Sequence, residues 1–158
     1  MSALDIDALR AATAGPVLAR DEDGFREEIV GYNLAGPVSP DVVVGVTSED
    51  DVAAAVKFAA EQELPVYAQA TGHGNYARIT SGVLIQTSRI NQVAIDSGSR
   101  TATIGAGVRW GAVYEAAAEH GLVPITGSSP GVGAVGLILG GGIGPLSRTF
   151  GFAADYAR

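Results

Sequence analysis

The residues best suited to chemistry lie in one short run, Gln69-Ala-Thr-Gly-His73-Gly-Asn-Tyr76. It sets one of only two histidines in a glycine-flanked loop directly after the apolar segment Pro65-Val-Tyr-Ala68. A histidine that served a core would sit inside a periodic apolar segment. Here Gly72 and Gly74 have no Cβ to hold a ligand away from the backbone. At about pH 7 a neutral imidazole can act as a nucleophile or as a hydrogen-bonding group. The plain alternative is an ordinary glycine turn that happens to carry a histidine.

A second glycine-dense stretch runs from Gly127-Ser-Ser-Pro-Gly-Val-Gly133 to Gly140-Gly-Gly-Ile-Gly144. Main-chain N–H groups of such loops suit phosphates, so the two stretches together point to a phosphate-bearing cofactor. The candidate contacts are Thr71, Gly72, His73, Gly74, Ser128, Ser129, Gly131, Gly133, Gly136, Gly141 and Ile143. With Pro130 following, the hydroxyls of Ser128 and Ser129 suit a phosphate better than ester attack. Gly131-Val-Gly-Ala-Val-Gly136 matches the dinucleotide fingerprint, with Asp155 as a distant ribose acid. Pro130 and the triplet Gly140-Gly-Gly142 argue against the long helix that reading needs. An NAD-binding domain is therefore a third reading, resting on that one match.

Other polar and aromatic residues have ordinary roles. His120, just before Gly121, reads as a partner for a helix C-terminus. Trp110 and Tyr114, four apart, read as a packing pair on one helix face. No HExxH or related spacing is present, so no metal is expected.

The elements that must position these loops alternate irregularly. Residues 4–36 read as a short helical preface and a connecting segment, and residues 37–158 as the main domain. Asp41-Val-Val-Val-Gly-Val46 predicts a buried strand. Ser48 is a helix N-cap with Glu49, Asp50 and Asp51 in the first turn. Val52, Ala55, Val56, Ala59 and Ala60 keep helical spacing up to Leu64-Pro65. Extended segments follow at 66–68, 83–86, 93–96, 101–104 and 123–126, with a turn at Ser97-Gly-Ser99. A helix over 110–120 stops at Gly121. The order predicts an α+β domain.

Composition narrows the class further. The chain has 158 residues, enough for one domain with its own core. A net charge of −7 with ten scattered Lys and Arg residues argues against nucleic-acid binding. No cysteine is present, so disulfides, thiolate metal sites and a cysteine nucleophile are excluded. The lack of cysteine suits a cytoplasmic location, and since neither a signal peptide nor a membrane-length apolar run is read, a soluble protein is expected.

Taken in order, these landmarks resemble the FAD-binding (PCMH-type) half of vanillyl-alcohol-oxidase-type flavoproteins, specifically the berberine-bridge-enzyme-like oxidoreductases. Asn33 follows an aromatic residue. Pro40–Val46 enters the first strand, and the helix 51–61 precedes Leu64-Pro65-Val66. Gln69-Ala-Thr-Gly-His-Gly74 stands in place of the family's glycine-glycine-histidine loop. Val83-Leu-Ile-Gln-Thr-Ser-Arg-Ile-Asn91 is similar to its "leucine-isoleucine, then Arg-Met-Asn" strand. Gly105-Ala-Gly-Val-Arg-Trp-Gly111, the serine-proline-glycine loop and Gly140-Gly-Gly-Ile-Gly-Pro-Leu-Ser-Arg148 complete the series.

The resemblance implies FAD, with main-chain amides of both glycine loops on its pyrophosphate. His73 aligns with the histidine bonded to the flavin 8α carbon. The 8α-methyl group can tautomerise to an electrophilic quinone methide, to which a neutral imidazole adds. Ser129 occupies the place of a second, cysteine attachment point, so double attachment is excluded. Gln69 stands where an arginine is common. The implied activity is hydride transfer from an alcohol or sugar-like substrate to flavin, with reoxidation by dioxygen or another acceptor. The family continues beyond Arg158 through the rest of the FAD domain and a substrate domain, so the chain reads as its N-terminal part only. A truncated flavin-binding module without catalysis is the alternative. Apolar surface left uncovered predicts self-association.

Overall fold

In the computed structural model, residues 4–74 and 78–158 are described. The chain divides into two compact units, Met1–Arg89 and Ile90–Arg158.

The first unit is built on a four-stranded sheet in the order β1-β2-β4-β3. β2 (Val42–Gly45), β3 (Val66–Gln69) and β4 (Val83–Gln86) are parallel, with Gln69 and Gly45 both level with Gln86. β2 and β4 are buried along their whole length, as central parallel strands covered on both faces must be. That is why they read as the apolar runs Val42-Val-Val44 and Val83-Leu-Ile85, with Gly45 and the buried Gln86 at their ends.

β1 (Val17–Ala19) pairs antiparallel with β2. This strand lies inside the stretch read from sequence as helical preface and connection. The same stretch supplies α1 (Asp7–Ala12) and α2 (Phe25–Ile29), and Phe25 packs with Val43, Ile79 and Leu84 in the core.

α3 (Glu49–Glu61) crosses from β2 to β3. The Ser48 hydroxyl accepts from Asp51 N at 3.2 Å, which confirms the predicted cap. Its buried face is Asp51, Ala55, Phe58 and Ala59, whereas Val56 and Ala60 point outward. The stripe is thus rotated from the one the apolar spacing predicted, because Asp51 itself faces inward. Asp51 is only 2% exposed. Its carboxylate accepts from Ala14 N at 2.8 Å, Thr47 N at 2.8 Å and Thr47 Oγ1 at 2.7 Å. Burial alone would push this carboxyl up, but the hydrogen bonds outweigh it and hold it below the ordinary carboxylate range.

The second unit opens with a hairpin of β5 (Val93–Asp96) and β6 (Thr101–Ile104), its turn closed by Asp96 Oδ1 accepting from Gly98 N and Ser99 N. α4 (Trp110–Ala118) follows and ends where Gly121 takes φ +65° and Leu122 N bonds Ala117 O. Val108, Trp110, Val113 and Ala134 form its core. The expected strand at 123–126 does not form. Pro124 has no N–H to donate, and Val123 is 78% exposed. α5 (Ala134–Leu139) is six residues long and ends at Gly140. α6 (Ser147–Phe150) and a 3₁₀ turn (Ala153–Tyr156) complete the unit. Leu139, Ile143, Phe150, Phe152 and Tyr156 are exposed. Among the described residues no helix is long and apolar enough to cross a membrane.

Asp51→Ala should lower the unfolding free energy by about 3 kcal/mol, because buried donors lose a charged acceptor. The Asp51 pKa is lowered on folding, so its stabilisation is whole above the unfolded value of about 3.9 and fades as pH falls through the folded value. Denaturant unfolding of both proteins as pH is lowered should therefore show the gap between them narrowing only below about pH 4.

Candidate functional site

The loop that carries His73 leaves β3 at Gln69. The Gln69 carbonyl accepts from Thr87 N at 2.8 Å, and its buried side chain donates from Nε2 to Ile29 O at 3.0 Å. Gln69 therefore ties the loop to the end of α2. The chain after α2 then runs along the loop, with Tyr32 N donating to Thr71 O at 2.8 Å and Asn33 N to Gly72 O at 3.2 Å.

The two backbones meet at glycine. A Cβ on Gly72 would lie 2.7 Å from Gly31 Cα, and Gly72 adopts φ +69°, which L side chains rarely occupy. This close approach sets His73 beneath Tyr32. Their rings stack with centroids 4.0 Å apart and planes 8° from parallel. In the plane of the imidazole, Nδ1 lies 2.8 Å from Thr71 Oγ1. One contact fixes the ring's face and the other its rotation. At Gly74, by contrast, a Cβ would meet none of the described residues within 4 Å. Asn75 and Tyr76, the end of the motif, lie outside the described residues.

In the second unit, the later glycine stretch is bolted to the start of α4. Trp110 N donates to Val132 O at 3.0 Å, Gly111 N to Pro130 O at 2.9 Å, and Arg109 Nη1 to Gly131 O at 3.1 Å. Ala134 N donates to Val108 O at 2.8 Å, and the Tyr114 hydroxyl to Gly127 O at 3.0 Å. Trp110 and Tyr114 stack at 6.3 Å, so the expected packing pair forms and Tyr114 adds an anchor for the loop. Gly142 and Gly144 are demanded by packing, since a Cβ there would strike Ala153 and Thr126 O, whereas at Gly127 it would meet only the movable end of the Leu137 side chain. Gly131, Gly136 and Gly141 differ. A Cβ at Gly136 or Gly141 would meet nothing within 4 Å, and at Gly131 only Ser129 Oγ at 4.0 Å. Gly133 stands at the N-cap of α5, Ser128 and Ile143 are exposed, and Ser129 is half-buried.

These are backbones that a phosphate could reach closely, and a half-buried imidazole held by its face and one nitrogen. Such features fit a flavin nucleotide. They do not fit the dinucleotide fingerprint. α5 is too short, and the Asp155 carboxylate accepts from Phe152 N at 2.9 Å as a local cap. Among the described residues, no group of three or more acidic or histidine side chains could hold a metal ion. Sequence reasoning missed Gly31 and Tyr32. Its nearest signal was an aromatic residue before Asn33.

Comparison with known proteins identifies the family of the chain. A family model described as FAD binding domain matches residues 40–158. The chain is 31% identical to an uncharacterised FAD-linked oxidoreductase, YgaK, of Bacillus subtilis, over 89% of this chain and 32% of that protein. It superposes on 6-hydroxy-D-nicotine oxidase of Arthrobacter nicotinovorans with TM-score 0.85 at 32% identity, covering 90% of this chain and 32% of that one. A berberine-bridge-enzyme-like protein of Physcomitrella patens gives TM-score 0.85 at 26% identity, over 95% and 34%. The chain thus spans about a third of the length of these relatives.

Two substitutions separate the roles of the loop glycines. Gly72→Ala should destabilise the protein by about 2 kcal/mol through left-handed strain and the contact with Gly31. Gly74→Ala should stay within about 0.5 kcal/mol of the parent. Thermal unfolding of the pair checks both values.

Proposed function

Since this chain belongs to the FAD binding domain family, in its berberine-bridge-enzyme-like branch, we propose that it binds FAD and that His73 attaches the flavin covalently. The observation that carries the proposal is the contrast among the glycines. Some are required by packing and fix the loops, whereas Gly131, Gly136 and Gly141 open onto space a ligand can fill.

In this reading main-chain N–H groups within residues 128–136 face the phosphates, the missing side chain of Gly141 lets the cofactor approach, and the exposed side chain of Ile143 adds apolar contact. Ser128 and Ser129 contribute hydroxyl donors. Thr71 holds one nitrogen of His73, so the imidazole meets the flavin in one rotational setting. A covalent bond there prevents loss of the cofactor. When bound, FAD supplies a two-electron acceptor able to take a hydride from a carbon bearing a hydroxyl, or a similarly activated C–H, and to pass electrons on to dioxygen or another acceptor. The relatives named as FAD-linked oxidoreductases are about three times as long as this chain, so hydride transfer is proposed here only together with the further part those relatives have.

The test is to denature the purified, FAD-treated chain in acid and record its visible spectrum and intact mass. A yellow polypeptide at the mass of the flavin adduct is expected, and a colourless one after His73→Ala. Flavin released on denaturation would keep the cofactor and refute the attachment. For the phosphate loop, Gly136→Leu should weaken FAD binding by about tenfold or more with unfolding temperature kept, because the added side chain fills open space. Unchanged affinity, read by flavin fluorescence, would remove that segment from the site.

A further inference from the structure

The geometry points to Tyr32 as a positioning residue for cofactor attachment, an inference that rests on the attachment proposed at His73. Tyr32 is 74% exposed, so burial of its ring does not explain its placement. Its ring instead lies flat on the imidazole, 4.0 Å away and 8° from parallel. The backbone on both sides of the ring is fixed. Tyr32 N and Asn33 N donate to the two carbonyls just before His73, and Gly31 packs against Gly72.

Attachment makes one bond from an imidazole nitrogen to the flavin 8α carbon and breaks one C–H bond of the methyl group. The methyl proton and the imidazole N–H proton leave. Two electrons pass into the isoalloxazine, and dioxygen removes them together with two protons as hydrogen peroxide. The lone pair of the unprotonated imidazole nitrogen lies in the plane of the ring, so the carbon must arrive at the ring's edge. Tyr32 covers one face and stops the ring from tipping, while Thr71 Oγ1 at 2.8 Å from Nδ1 limits rotation within the plane. Prepaying that orientation speeds bond formation without requiring any contact with the cofactor. The rate of attachment therefore depends on an aromatic ring at position 32, whereas the affinity for FAD does not.

The experiment measures the time course of acid-stable flavin after FAD is added to purified apo-chain, alongside the dissociation constant of FAD before the bond forms. Tyr32→Phe and Tyr32→Trp should match the parent. Tyr32→Leu and Tyr32→Ala should attach about tenfold more slowly with affinity unchanged. In the apo-chain, the imidazole ring protons of His73 should move downfield in the Leu and Ala variants and stay in place in the Phe variant. Equal rates in the parent and the Leu variant would overturn the inference while leaving His73 as the attachment point. Slow attachment in the Phe variant would overturn it too. A parent chain that never acquires acid-stable flavin would instead remove the attachment itself, and the inference with it.

Discussion

The contact on which the candidate site depends is the meeting of Gly31 and Gly72. With no Cβ on either residue, two stretches of backbone come close enough for Tyr32 and Asn33 to donate to the carbonyls of Thr71 and Gly72. The hydrogen-bond register then leaves no choice about which side chain faces which, and the Tyr32 ring lands on that of His73. Any larger residue at either position would separate the strands of this contact and release the histidine. The loop is anchored behind by the buried amide of Gln69 on Ile29 O.

The second unit solves a related problem by other means. Its glycine stretch has little regular structure and is held by cross-bonds to residues 108–111 and by the Tyr114 hydroxyl. Glycines pressed against Ala153 and Thr126 O fix its course. Others along the same stretch have nothing beside them. A loop held rigid by some glycines and left open at others can present backbone donors to an anion at little cost in ordering.

Much of this was legible in the sequence, because the signals were local. The run Val42-Val-Val44 announced a buried strand, Ser48 capped α3 as its type requires, and Gly121 stopped α4 in the left-handed conformation. The triplet Gly140-Gly-Gly142 correctly ruled out a long helix after the fingerprint match. What could not be read depended on distant partners. β1 is three residues that become a strand only against β2, and residues 123–126 are apolar but have no neighbouring strand to pair with among the described residues. The face of α3 shifted because a charged residue, Asp51, is drawn inward by donors from residues 14 and 47. Tyr32 and His73 are far apart in sequence, and nothing local in either predicts their stack. Family resemblance found the histidine and an aromatic residue before Asn33, but gave no hint that the two rings stack.

The central claim is that His73 forms the bond to the cofactor, and peptide mapping tests it most directly. Trypsin should release Phe58–Arg78 as one peptide, bounded by Lys57 and Arg78 and containing a single histidine, His73. After incubation with FAD, the account predicts that this peptide alone carries the flavin chromophore, with fragmentation placing the added mass on His73. Flavin on any other peptide, or none on this one while the intact chain remains yellow, would contradict it.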